Sequence, residues 1–181
     1  MSRSNPAKKK RRVAKITILI YGEGASEERF LKYLRQLYAC NNGAAVTIRQ
    51  GKGGSADGLI SSAKQFAGSF AKRVVVLDAD KDEQEMHRAE KLAKGAKIDL
   101  LKSVPCLEAT LLFILKGTKG TNFAIQTSKW CKQQFSKECR PRQKPLEKEA
   151  HQKLFPKRLL DSRKKTIAVL AKLISLMKGV S

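Results

Sequence analysis

No uninterrupted apolar run in the chain approaches the roughly 18–20 residues that a membrane span needs. The basic N-terminus is not followed by an apolar segment with a small-residue cleavage site, so the pattern of a secretory signal is missing too. The two absences lead us to expect a soluble, unexported, cytoplasmic protein with no membrane partner. Cysteine is sparse. Cys40, Cys106, Cys131 and Cys139 form no CxxC pair, and no histidine stands near them at zinc-ligand spacing. They read as small buried hydrophobes with reduced thiols. The glycine-rich stretch Gly51-Lys52-Gly53-Gly54-Ser55 lacks the GxxxxGKS/T order of a P-loop, which argues against a nucleoside triphosphate cradle. Neither His87 nor His151 has a triad pattern around it, and both read as surface residues. No internal repeat is visible.

Acid is missing where base is abundant. The chain of 181 residues carries 38 Lys and Arg against 16 Asp and Glu, a formal net charge of +22. Residues 1–15 hold seven basic side chains and no acidic one, and residues 116–181 hold 17 against four. The middle, residues 16–115, is near neutral with 14 against 12. A chain this basic repels itself unless a polyanion neutralises it, and phosphate backbones are the commonest such partner. Nucleic acid, DNA or RNA, is therefore the expected ligand. Its contacts are assigned to Lys8, Lys9, Lys10, Arg11 and Arg12 in the N-terminal arm and to Lys52 in the glycine-rich loop. In the C-terminal part they are assigned to Lys129, Lys132, Arg140, Arg142, Lys157, Arg158, Arg163, Lys164 and Lys165. The KKKRR run also fits a nuclear-import signal. Trp130 and Phe135 lie among lysines, a pairing that can stack bases, but they read better as hydrophobic anchors of a tail helix.

With 41% apolar residues the chain can build one compact domain. Residues 1–15 read as a flexible basic arm, 16–116 as an α/β domain and 117–181 as a basic helical extension. Ile16–Tyr21 is β-branched and apolar, the pattern of a buried strand. Gly22-Glu23-Gly24 is a turn, and a helix is expected over Ser26–Tyr38 with Ser26 as N-cap. Ala44–Arg49 reads as a second strand, Asp57–Phe70 as a helix and Arg73–Leu77 as the clearest strand of all. A charged helix over Asp82–Lys94, a strand within Lys97–Val104 and a buried helix over Cys106–Leu115 follow. The last helix is expected over Ser162–Met177. Strands alternating with helices imply a parallel sheet of about four strands with helices on both faces, a Rossmann-like arrangement.

In such a sheet ligands bind outside the carboxyl ends of the strands. Two apolar strands here end in acid: Glu23 after the first, Asp78 and Asp80 after the third. Glu108 lies inside an otherwise apolar run, where an unpaired charge is too costly to keep. Glu27 follows Glu23 by four residues, one helical turn away, whereas Glu28 reads as a complement to the helix dipole. Glu23, Asp78, Asp80 and Glu108, with Glu27, could converge on a magnesium or manganese ion, one or two in number, whose waters phosphate can replace. Asp78 and Asp80 would share a side if strand geometry continued through Ala79.

The same residues carry a resemblance. Glu23-Gly24-Ala25-Ser26-Glu27-Glu28-Arg29-Phe30-Leu31, then Val76-Leu77-Asp78-Ala79-Asp80, then Pro105-Cys106-Leu107-Glu108 leading to Leu111-Leu112 resembles the Toprim domain of topoisomerases, primases and OLD-type nucleases. The wording is closest to small standalone RloB-like proteins, and the likeness covers residues 16–116. Leu107 replaces the aromatic usual before the glutamate, and Val104 replaces the usual Asn before the proline. The resemblance implies a Toprim-like fold and metal-dependent cleavage of phosphodiester bonds in a bacterial phage-defence setting. It also implies that Glu23 is a metal ligand or general acid/base and that Asp78 and Asp80 hold magnesium, with Glu27 and Glu108 completing the set. Two rival readings remain open: a non-catalytic nucleic-acid-binding module, and a subunit that docks on a larger protein or ribonucleoprotein assembly through its basic tails.

Overall fold

The computed structural model describes residues 15–39, 44–51, 54–117, 122–139 and 153–180. Residues 1–14 of the expected arm lie outside the described residues, and with them Lys8, Lys9, Lys10, Arg11 and Arg12. Lys52, Arg140 and Arg142 lie outside them as well.

Four strands form one all-parallel sheet: β1 (Thr17–Gly22), β2 (Ala45–Gln50), β3 (Lys72–Asp78) and β4 (Asp99–Ser103), in the spatial order β2-β1-β3-β4. In the two central strands alternate residues serve opposite faces, as the pleat requires. Ile18, Ile20, Val74 and Val76 enter one apolar layer, and Leu19, Tyr21, Val75 and Leu77 enter the other. Burial on both faces explains why these strands are almost wholly apolar.

Helices α2 (Ala56–Gln65) and α3 (Glu83–Gly95) cover the second face. Helices α1 (Ala25–Tyr38) and α4 (Leu107–Lys116) cover the first. They are joined there by α5 (Ser128–Cys139), α6 (Lys157–Arg163) and α7 (Ala168–Lys178). The basic C-terminal part thus shares the larger core. Phe135, Phe155, Leu160, Leu170 and Met177 are buried in it. Tyr33 Oη donates to the Phe155 carbonyl at 2.7 Å, and Arg163 Nε donates to the Ile114 carbonyl at 3.0 Å. Helix α4 is apolar nearly all round because it is packed between the sheet and α5.

Three local expectations are corrected. The N-cap of α1 is Gly24, not Ser26; its backbone N–H is satisfied at 2.9 Å by Glu27 Oε2, a carboxylate reaching back from the first turn. Helix α2 ends at Gln65 instead of Phe70. The Arg73 guanidinium collects the carbonyls of Ala63, Phe66 and Gly68 at 2.6, 3.1 and 3.0 Å, and Gly68 adopts φ +127°, so the chain turns where its apolar pattern still reads as helical. The single last helix is two, α6 and α7, separated at residues 164–167, where Ile167 is extended. β-Branched Thr166 and Ile167 favour that break.

Candidate metal and nucleic-acid site

The strand order reverses direction between β1 and β3, and the space beyond the carboxyl ends at such a point is where parallel sheets bind ligands. Four carboxylates are delivered to it by four different elements. Glu23 follows β1 directly, Glu27 sits in the first turn of α1, Asp78 is the last residue of β3, and Glu108 lies in the first turn of α4. Gly22 makes the arrangement possible: a Cβ there would stand 2.7 Å from Glu27 Cβ and 3.3 Å from the Glu28 backbone nitrogen. Only glycine lets α1 come down this tightly on the end of β1.

The first turns of α1 and α4 both supply backbone N–H groups to these acids, which lowers the cost of gathering like charges. Gly24 N–H serves Glu27, and Leu107 N–H donates to Asp78 Oδ1 at 2.9 Å. Glu23 Oε2 accepts from the Asp78 backbone N–H at 3.2 Å, which ties the end of β1 to the end of β3. Its other oxygen, Oε1, accepts from Lys81 Nζ at 2.6 Å. Lys132 of α5 approaches Asp78, with Nζ 3.9 Å from Oδ2.

The electrostatics show how close these groups stand. Asp78 and Glu27 are each 7% exposed. Burial, then the charge of Glu27, pushes the Asp78 carboxyl up to about 7; the Leu107 N–H opposes this, while Glu108 and Glu23 add to it. Burial likewise raises Glu27, against its backbone hydrogen bonds and with help from Glu108 and Glu23. For Lys132, burial disfavours the charged ammonium, but the carboxylates of Glu108, Asp78 and Asp80 outweigh it and the pKa rises. Among the described residues Glu108 Oε2 is buried without a hydrogen-bond partner. A carboxylate oxygen without a hydrogen bond leaves its charge to be met by Lys132 or by a bound cation.

Asp80 is exposed in the turn after β3, because strand geometry stops at Asp78, where the Ala79 N–H turns to the carbonyls of Ser103 and Pro105, each at 2.9 Å. It stands beside Lys129 and Lys132 at the surface, outside the recess. Glu28 pairs with Lys32 at 2.9 Å. Lys157 and Lys164 bind Asp161 at 2.6 and 3.0 Å; burial works against that carboxylate's charge, yet the two lysines bring its pKa down to about 2. Arg158 and Lys165 are exposed. Phe135 is a core residue stacked on Phe155, and Trp130 packs against Phe123.

Two participants escaped the sequence reading. Cys106 is fully buried as the N-cap of α4, and one donor atom from each of Asp78, Cys106 and Glu108 lies within 4.8 Å of the others. Burial pushes its thiol up to about 12, so it stands beside the acids as a neutral group, and hard cations take oxygen instead. Lys81 is the other. Its three-residue distance from Asp78 was visible, but nothing local says that it turns back to Glu23.

A carboxylate set with one unsatisfied buried oxygen fits a hard divalent ion. No protein-family model, curated protein or solved structure gives a significant match to the chain.

Proposed function

We propose that the chain is a magnesium- or manganese-dependent phosphodiesterase acting on nucleic acid, with a Toprim-like arrangement of its acids. The observation that carries this reading is that Asp78 and Glu108 each offer a donor atom within 4.8 Å of the other, under the charge of Glu23 and Glu27, with Glu108 Oε2 buried and lacking a hydrogen-bond partner among the described residues. A hard divalent cation there supplies Lewis acidity toward phosphate oxygens and activates water. Asp78 and Glu108 are the residues that would hold it, with the charge of Glu27 acting on Asp78 from the first turn of α1. Glu23, fixed between the Asp78 N–H and Lys81, is placed to accept a proton from attacking water or return one to the leaving oxygen. Lys81 orients that carboxylate. Asp80, at the rim, contributes field and not ligation. The exposed lysines of α5 supply the attraction that brings a polyanion to the recess.

One observation favours a second reading. Lys81 and Lys132 already lie on Glu23 and Asp78, so part of the acid charge is neutralised within the fold. A protein that only binds nucleic acid would need no more than this.

The test incubates the protein with labelled single- and double-stranded DNA and RNA, in magnesium, manganese or EDTA. Cleavage is expected with a divalent ion and not in EDTA, with at least a hundredfold loss in Asp78→Asn and Glu23→Gln, on the order expected for lost metal or acid–base assistance. Binding without cleavage under every ion selects the second reading.

A further inference from the structure

Helix α5 has two chemically distinct sides. Cys131, Phe135 and Cys139, spaced four residues apart, are buried in the core. On the other side Lys129, Lys132 and Lys137, with Gln133 and Ser136, line an open depression whose wall includes Asp80. The one carboxylate of the helix, Glu138, is engaged with Lys116 at 2.6 Å. Among the described residues neither Lys129 nor Lys137 has an ion-pair partner, so the positive charge of this face is not cancelled internally. Lys132 links the face to the acid recess through its 3.9 Å approach to Asp78, with its side chain still 51% exposed. From Lys129 to Lys137 the helix axis rises about 12 Å, enough to meet about two or three consecutive phosphates.

We propose that the lysine face of α5 is the docking surface for one single strand of nucleic acid, which it leads into the carboxylate recess, with Lys132 at the junction. The inference deepens the phosphodiesterase reading and rests on it for the identity of the recess. A single strand fits better than a duplex because Asp78 and Glu27 are buried, each 7% exposed, and a flexible strand can bend toward groups below the surface that a rigid double helix would span. Nucleic acid fits better than an acidic protein because, among the described residues, no large apolar side chain lines the depression. A protein interface needs such an anchor at its centre. Flexible lysine point charges, by contrast, accept a phosphate in many orientations.

The test measures binding of fluorescent single-stranded DNA, single-stranded RNA and duplex DNA by anisotropy, in EDTA and across a salt series. Lys129→Gln and Lys137→Gln are compared with Lys64→Gln, an exposed lysine of α2 on the opposite face of the sheet. Each α5 substitution is expected to weaken single-strand binding about fourfold at physiological salt and to reduce the salt slope by about 0.7. Lys64→Gln is expected to leave both nearly unchanged, and the duplex to bind more weakly than either strand. Equal losses in all three variants, tighter binding of the duplex, or displacement of the strand by polyglutamate at matched charge would overturn the proposal. Because no divalent ion is present, the result is independent of cleavage. Strand binding that depends on α5 without cleavage under any ion removes the nuclease and keeps the docking surface. Cleavage that depends on Asp78 with binding indifferent to α5 does the reverse.

Discussion

Replacing Asp78 by asparagine should make the metal-free protein more stable while removing its affinity for a divalent ion. The carboxyl of Asp78 is pushed from 3.8 to about 7, by burial first and by Glu27 next. Three units correspond to ~4 kcal/mol of penalty on the charged form. Between pH 3.8 and about 7 the native state keeps a proton that the unfolded chain has released. Metal-free stability therefore falls as pH rises through that window, and the full penalty is present above it. Asparagine still offers an oxygen to the Leu107 N–H but carries no charge. Above the window the variant should gain ~2–4 kcal/mol over the parent, equivalent to about 6–12 °C in melting temperature for a gain of ~3 kcal/mol. Below it the gain should vanish. The assay is urea and thermal unfolding in EDTA across this pH range, repeated with manganese, which should raise the melting temperature of the parent only. A flat pH profile in the parent, or a variant less stable than the parent above the window, would refute the reasoning. Lys132, 3.9 Å away, would then already be carrying the charge of Asp78.

Three further perturbations probe how the site is built. Gly22→Ala places a methyl 2.7 Å from Glu27 Cβ, so α1 must lift; a stability loss of ~1–3 kcal/mol and weaker manganese binding are expected, read by denaturation and calorimetry. Lys81→Met leaves Glu23 without its 2.6 Å partner, which should lower metal-free stability by ~2 kcal/mol and strengthen divalent-ion binding; unchanged affinity would mean that Glu23 lies outside the metal's reach. Arg73→Ala frees three carbonyls at the end of α2 and should cost ~2–3 kcal/mol in urea unfolding, with Arg73→Lys restoring only part because an ammonium cannot reproduce the fork.

The parts of the fold that were legible in the sequence are those governed by local pattern. β1 and β3 are short β-branched runs that can only be buried strands, and the acids that follow them fall at the crevice because strand ends in a parallel sheet are where ligands bind. What stayed hidden depends on partners distant in sequence or on backbone geometry. The end of α2 is set by Arg73, which reaches back from the next strand, while Phe66 and Phe70 continue a helical pattern. Asp80 reads as the twin of Asp78, yet β3 ends at Asp78 and Ala79 and Asp80 form a turn, the Ala79 N–H shared between the carbonyls of Ser103 and Pro105, so the pleat that would have aligned the two aspartates stops early. Lys81 pairing with Glu23 and Cys106 lying beside Asp78 are tertiary facts with no periodic signature. The basic C-terminal segment reads as an extension by charge, although its buried residues Phe135, Phe155 and Leu170 belong to the same apolar layer as Ile18 and Val76.

The most direct measurement is calorimetric titration of manganese into the protein and into Glu108→Gln, each freed of metal with a chelator beforehand. A saturable site in the parent that weakens at least tenfold in the variant is the expected result, because among the described residues Glu108 Oε2 has no hydrogen-bond partner. Absence of saturable binding in the parent, or equal binding in both proteins, would contradict the claim that these carboxylates are gathered to hold a divalent ion.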